Sequence, residues 1–271
     1  MKALIKVGYG CNEHCTFCHT VDVRHIDGTD AEVREKIRRA QALGHTMVVL
    51  SGGEPTIRPE LLPWAAYIAS LGMDVGLVTN GQMLAYTEFV ERLLRLRLRY
   101  VYMSLHGGSA SVHRRLTRAD GFERTQTAVA NLAGRGLDFS LNTVVTKQNV
   151  DHLIPIVDYV LAYPDVVLKF SMVQPKGGGA HAFDALTPRV AEVAARVREA
   201  IAYGQARAQE NGPRFAHDGI PLCLLPGYED LYDDLKTHEF ATMVEIVEPD
   251  FFPVDDKAKV QPEKCVGCAL R

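Results

Sequence analysis

Thr46-Met47-Val48-Val49-Leu50-Ser51-Gly52-Gly53-Glu54-Pro55-Thr56 joins an apolar run to a turn of small residues. The run is aliphatic and β-branched without alternation, the character of a strand covered on both faces. Upstream, Leu4-Ile5-Lys6-Val7-Gly8 is of the same kind and leads into Cys11-Asn12-Glu13-His14-Cys15-Thr16-Phe17-Cys18. Between the two runs, Thr29 and Glu32 form a capping box, Val33, Ile37 and Ala40 repeat at helical spacing, and Gly44 closes the helix. Strand, loop, helix, strand, loop is a βαβ unit. Both loops then sit at the carboxyl ends of parallel strands, where ligands bind.

The rhythm continues downstream. Further strands are expected at Asp74–Thr79, Tyr100–Ser104, Asp138–Val145 and Val166–Met172, and helices at Pro59–Leu71, Tyr86–Leu96, Phe122–Arg135 and Asp151–Leu161. Six strands with helices between them predict an α/β fold with a parallel sheet, either open or a partial barrel. Gln174-Pro175-Lys176-Gly177-Gly178-Gly179 reads as a flexible break, after which Thr187 and Pro188 start a long helix reaching Gln209. From Asn211 onward the chain is rich in Pro, Asp and turn residues and is expected to wrap on the main domain. The expected division is 1–179 for the α/β domain and 180–271 for a helix with a C-terminal extension.

Composition narrows the partners. The 271 residues are 47% hydrophobic and 23% charged with a formal net charge of −3, so no basic surplus points to nucleic acid. Met1–Val7 is broken by Lys6 and lacks the apolar core of a secretory signal, and no apolar stretch is long enough to span a bilayer. A cytoplasmic protein without a membrane partner is expected. Its six cysteines fall at 11, 15, 18, 223, 265 and 268, two tight groups and an outlier. In a reducing compartment such grouping favours metal over disulfide.

Thiolates at C-x3-C-x2-C spacing can take three corners of an iron–sulfur cubane and leave one iron open. A zinc site on Cys11, Cys15 and Cys18 with His14 or His19 is the alternative. The motif resembles that of the radical S-adenosylmethionine (radical SAM) superfamily, whose third cysteine follows an aromatic residue, here Phe17. Ser51–Thr56 resembles the GGEP segment of that family, in which Gly52, Gly53 and Glu54 would meet the methionyl amine of the cofactor. Thr79 and Asn80 at the end of the third strand, Ser104 at the end of the fourth and Asn142 in the fifth resemble further cofactor contacts. Arg115, with Arg114 as its alternative, resembles the arginine that pairs with the cofactor carboxylate. His106 either lines the cavity or is structural.

The resemblance covers about residues 4–175. It implies a partial (β/α)6 TIM-like barrel with a C-terminal extension, a [4Fe–4S] cluster on Cys11, Cys15 and Cys18, and S-adenosyl-L-methionine. It further implies reductive cleavage of that cofactor to a 5′-deoxyadenosyl radical, and an electron donor such as flavodoxin or ferredoxin. Cys223, Cys265 and Cys268 are similar to the ligands of auxiliary Fe–S clusters in family extensions. Zinc is their alternative, as is a buried apolar role for Cys223. Relatives with this layout are most often peptide-modifying maturases, so a peptide substrate is expected, bound by the extension or by a separate partner. A small metabolite, sugar or nucleotide is the second expectation, and a non-enzymatic zinc-binding interaction module the reading from another class. No catalytic side chain is assigned beyond the cluster ligands.

Overall fold

The structure, a computed structural model, describes residues 1–233, 240–253 and 261–268. Its first six strands are β1 (Lys2–Lys6), β2 (Met47–Ser51), β3 (Asp74–Thr79), β4 (Leu98–Ser104), β5 (Asp138–Val145) and β6 (Val166–Met172). Each pairs in parallel with the next. Helices α1 (Asp30–Ala42), α2 (Leu61–Ser70), α3 (Thr87–Arg95), α4 (Ala110–Thr117), α5 (Phe122–Leu132) and α6 (Ile154–Val160) make the crossovers. The capping box at α1 forms as read: Thr29 Oγ1 accepts from Glu32 N at 3.3 Å, and Thr29 N donates to the Glu32 carboxylate at 2.8 Å.

Two differences from the sequence reading have local causes. β1 stops at Lys6 because the chain then leaves the sheet, Gly8 bridging to Asp27 and Tyr9 N donating to Ile26 O. The helix α4, which sequence reading passed over, starts at Ser109, whose hydroxyl accepts from Val112 N.

Side chains alternate across the sheet. Ala3, Ile5, Val48, Leu50, Val75 and Leu77 face the helices and join the main core. Leu4, Val49, Tyr100 and Tyr102 face the other way and, with Phe240, form a second apolar cluster. A cavity lined by residues from β1 through β6 opens on that inner face, so the sheet curves round it.

The remainder of the chain adds to both edges. After α7 (Gly178–His181), α8 (Phe183–Leu186) and α9 (Val190–Gln205), β7 (Arg214–Asp218) pairs in parallel with β6. β8 (Thr242–Val244) pairs in parallel with β1, and β9 (Phe252–Pro253) runs antiparallel to β8. The strand order is β7-β6-β5-β4-β3-β2-β1-β8-β9, and among the described residues no ladder joins the two edges. The result is an open, parallel, barrel-like α/β fold. Lys36 of α1 fixes the β8 edge, its ammonium donating to the carbonyls of Glu245 at 2.5 Å and Ile246 at 2.8 Å.

The stretch read as a flexible break is packed instead. Gly178 N donates to Cys18 O at 2.8 Å, and a Cβ on Gly177 would lie 2.5 Å from the carbonyl oxygens of Cys18 and His19. These glycines are needed because two backbones touch there, a cause that composition does not reveal.

Candidate active site

The cysteine loop leaves β1 at the carboxyl end of the sheet, and its backbone is tied on three sides. His14 N and Thr16 N each donate at 2.8 Å to the last carbonyls of α4, those of Thr117 and Leu116. Gly53 N donates to Gly8 O at 2.8 Å and Glu54 N to Gly10 O at 2.9 Å, which straps the turn after β2 beneath the loop. A Cβ on Gly52 would fall 1.9 Å from Gly8 O, and one on Gly53 2.3 Å from the carbonyls of Tyr9 and Gly10. The Gly-Gly pair is therefore required by protein backbone before any ligand is considered.

Within the loop, Cys18 N donates to Cys15 O at 3.1 Å, closing a turn over the C-x2-C step. All three thiols are free and partly exposed. Burial pushes the Cys11 thiol up to about 12. Burial likewise raises the Cys15 thiol, with the charges of Glu13, Cys11 and Cys18 adding to the effect. Thiolates at these positions thus need a positive partner, which an iron–sulfur core supplies by deprotonating its ligands outright. Among the described residues no three His, Cys, Asp or Glu side chains converge on a point suited to one metal ion. A cubane does not ask for that, because each thiolate binds a different iron.

A buried polar chain backs the loop. Glu13, 2% exposed, approaches Cys15 Sγ at 3.4 Å and accepts from Gln82 Nε2 at 2.8 Å. Arg124 of α5 donates twice to Gln82 Oε1, at 3.1 and 2.6 Å, and so orients that amide. Burial, set against the Gln82 hydrogen bond, pushes the Glu13 carboxyl up to about 7. Sequence reading missed all three residues, since nothing in their spacing marks them as neighbours.

Glu54 is the hub between the turns after β2 and β3. Its Oε1 accepts from Thr56 N at 2.9 Å, Thr56 Oγ1 at 2.5 Å and Thr79 Oγ1 at 2.7 Å, and its Oε2 from Asn80 N at 2.6 Å. Burial raises its carboxyl above the usual range against these hydrogen bonds. Asn80 also donates to Asn12 Oδ1 at 2.7 Å, which links the third strand to the cysteine loop.

Beside the loop lies the cavity, about 380 Å³, with Phe17, Ser51, Asn142, Val144 and Ser171 on its walls. Asn142 accepts from Ser171 Oγ at 2.6 Å and stands in register with Ser104 on the neighbouring strand. Leu4, Tyr102, Phe240 and Met243 contribute apolar surface, and Lys6, Asp218 and Glu245 bring charge. Strand alternation could have placed Lys6 here, two residues on from the inward Leu4. Asp218 ends β7 and Glu245 directly follows β8, strands that sequence reading did not anticipate.

Of the expected cofactor contacts, Phe17 and Asn142 line this cavity, whereas Gly52, Gly53, Glu54, Thr79, Asn80, Ser104 and Arg115 are not among the residues that do. Arg115 is exposed on α4, outside the residues lining this cavity, with its guanidinium donating to Gln148 O at 3.3 Å. Arg114 is likewise exposed and pairs with Asp120 at 3.2 Å. Both point outward because Val112, His113 and Leu116 take the buried face of the helix. His106 supports the wall from behind, its ring 4.8 Å from that of Phe17 and its Nδ1 accepting from Val144 N. Burial, with a contribution from His113, pushes it down to about 3, so it is neutral and structural.

The second cysteine group falls on two separate turns, Leu222–Leu224 and the one that begins at Glu263–Cys265. Cys223 is exposed on the turn Leu222–Leu224. Cys268 N donates to Cys265 O at 3.2 Å, the same local turn as in the first motif. The three are not gathered into one metal-binding group among the described residues.

A family model described as the radical SAM superfamily matches residues 5–160. The AdoMet-dependent heme synthase of Methanosarcina barkeri is 31% identical over 148 residues, 53% of this chain and 42% of that protein. The PqqA peptide cyclase of Streptomyces rochei is 27% identical over 234 residues, 85% of this chain and 61% of that protein. The chain therefore spans about half the length of these curated relatives. The crystal structure of Streptococcus suis SuiB bound to S-adenosylmethionine shares the fold with a TM-score of 0.69 at 16% identity, over 99% of this chain and 70% of that one.

Proposed function

The chain belongs to the radical SAM superfamily, and from that premise we propose that Cys11, Cys15 and Cys18 hold its [4Fe–4S] cluster beside a cavity that receives S-adenosylmethionine and a peptide. The observation that carries the reading is the cysteine loop at the carboxyl end of β1, tied to the Gly52-Gly53-Glu54 turn and opening on the cavity through Phe17. When bound, the cluster supplies the electron that cleaves the cofactor to methionine and a 5′-deoxyadenosyl radical, which takes hydrogen from the substrate.

The chain's own residues then bind and orient. Glu54 Oε2 meets one protein donor and keeps acceptor capacity for the ammonium of the cofactor. Thr79 and Asn80 hold that carboxylate in place. Ser104, Asn142 and Ser171 present hydroxyl and amide groups at the carboxyl ends of β4 to β6. Phe17 and the apolar floor exclude water from the radical's path, which protects it from side reactions.

A peptide is the substrate class the comparisons favour. The match to the peptide cyclase continues past the barrel over 85% of the chain, whereas the match to the heme synthase stays within 53%. Lys6, Asp218 and Glu245 give the cavity charges of both signs for such a chain. We assign Cys223, Cys265 and Cys268 to an auxiliary Fe–S cluster, and place the protein in the cytoplasm, where thiols stay reduced. No described helix is long and apolar enough to cross a membrane.

The test of the auxiliary assignment is elemental analysis after anaerobic reconstitution. Replacing Cys223, Cys265 and Cys268 together by Ala is expected to remove about four iron and four sulfide per chain, as a cubane requires, while cofactor cleavage under dithionite persists. Unchanged iron, with zinc lost instead, contradicts it.

A further inference from the structure

The arginines that do not reach the cavity gather at the carboxyl end of α4. Arg114, Arg115 and Arg118 line a shallow open hollow of about 720 Å³ together with Ala110, Ser111 and Asp120. Arg114 and Arg115 lie in the last turn of α4. Arg118 closes α4 in the left-handed conformation, at φ 53°. The Arg114 side chain is 68% exposed, and its partner Asp120 is 75% exposed. Three guanidiniums thus face solvent against a single carboxylate among the residues of the hollow.

Their position gives the patch a use. The same turn of α4 that carries them accepts, through Leu116 O and Thr117 O, the hydrogen bonds from Thr16 N and His14 N on either side of Cys15. A partner seated on the arginines is therefore one hydrogen bond and one residue away from a cysteine of the loop. Arg24 adds a further cation at the loop's edge, 2.7 Å from His14 Nδ1. The whole chain carries a net charge of −3 and so repels an acidic protein at long range, which makes a local positive surface decisive for orienting one.

We propose that Arg114, Arg115 and Arg118 form the docking surface for an acidic one-electron carrier protein of the flavodoxin kind. In the complex the reduced carrier gives up one electron and is oxidised by one unit, and the cluster gains it; no atom or proton need change hands between the proteins. The inference rests on the reading of Cys11, Cys15 and Cys18 as cluster ligands and adds where the electron enters. Charge on the rim of such an encounter governs association rate and salt dependence more than final affinity.

The experiment compares two reductants, flavodoxin hydroquinone and dithionite, on the reconstituted full chain and on the variant Arg114→Glu/Arg115→Glu/Arg118→Glu. Stopped-flow bleaching of the cluster by flavodoxin is expected to slow about tenfold or more at low ionic strength. The difference should shrink as salt is raised toward 0.5 M, roughly where the Debye length falls to a few ångströms. Reduction by dithionite should stay at the wild-type rate. Should the triple variant fail to hold iron, Arg114→Gln/Arg115→Gln leaves Arg118 untouched and carries the same expectation in smaller measure. Wild-type flavodoxin rates with wild-type salt dependence in an iron-loaded variant overturn the docking surface. A wild-type chain that takes up no cluster overturns the functional reading instead.

Discussion

Glu13 shows how a residue without a motif of its own can govern one that has it. It lies between two cysteines, almost without contact with solvent, and the Gln82 amide that meets it is itself held by Arg124. Replacing Gln82 by Leu leaves the Glu13 carboxylate buried without its 2.8 Å donor and releases Arg124. Residues that orient metal ligands typically contribute ten- to a hundredfold in affinity. Gln82→Leu is therefore expected to lose iron to a chelator about ten to a hundred times faster than wild type. Parity in the chelator challenge would reduce this chain of contacts to ordinary packing. The residues legible in the sequence were those whose spacing is local: the three cysteines, Phe17 and the Gly-Gly-Glu turn. Glu13, Gln82 and Arg124 were not, because sixty-nine residues separate the first two and forty-two the last two.

Among the elements, the six central strands were readable because their burial on both faces leaves continuous apolar runs, and β3, β5 and β6 begin and end where the sequence placed them. Short edge strands carry no such signal: β7 reads Arg214-Phe215-Ala216-His217-Asp218 and β8 only Thr242-Met243-Val244. Their position is dictated by pairing to β6 and β1, which is tertiary information. The segment Gln174–Gly179 was misread for a related reason. Glycine runs signify freedom only where nothing touches them, and here Gly177 and Gly178 press on the backbone of Thr16, Cys18 and His19. Gly177 also has φ +49°, a conformation that a side chain disfavours. Gly177→Ala is thus expected to destabilise the fold by about 1–3 kcal/mol, the usual cost of overpacking, and to lower the iron retained per chain. Denaturant titration and iron assay measure both, and a variant with the wild-type midpoint and iron content would restore the segment to a mere linker.

For the molecule as a whole, the curved sheet works as a container. Leu4, Tyr102, Phe240 and Met243 give it apolar walls, and Lys169, fully buried in β6, pairs with Asp233, whose backbone N–H donates to His217 O of the neighbouring β7. Residues from the second half of the chain therefore complete a site begun by the first, with Asp218 and Glu245 reaching it from opposite margins of the sheet. The assignment of Cys11, Cys15 and Cys18 as cluster ligands is tested by incubating the reconstituted chain anaerobically with dithionite and S-adenosylmethionine and quantifying 5′-deoxyadenosine. Wild type is expected to form it, and Cys11→Ala, Cys15→Ala and Cys18→Ala each to form none above background; a wild-type yield from any one of the three variants would contradict the assignment.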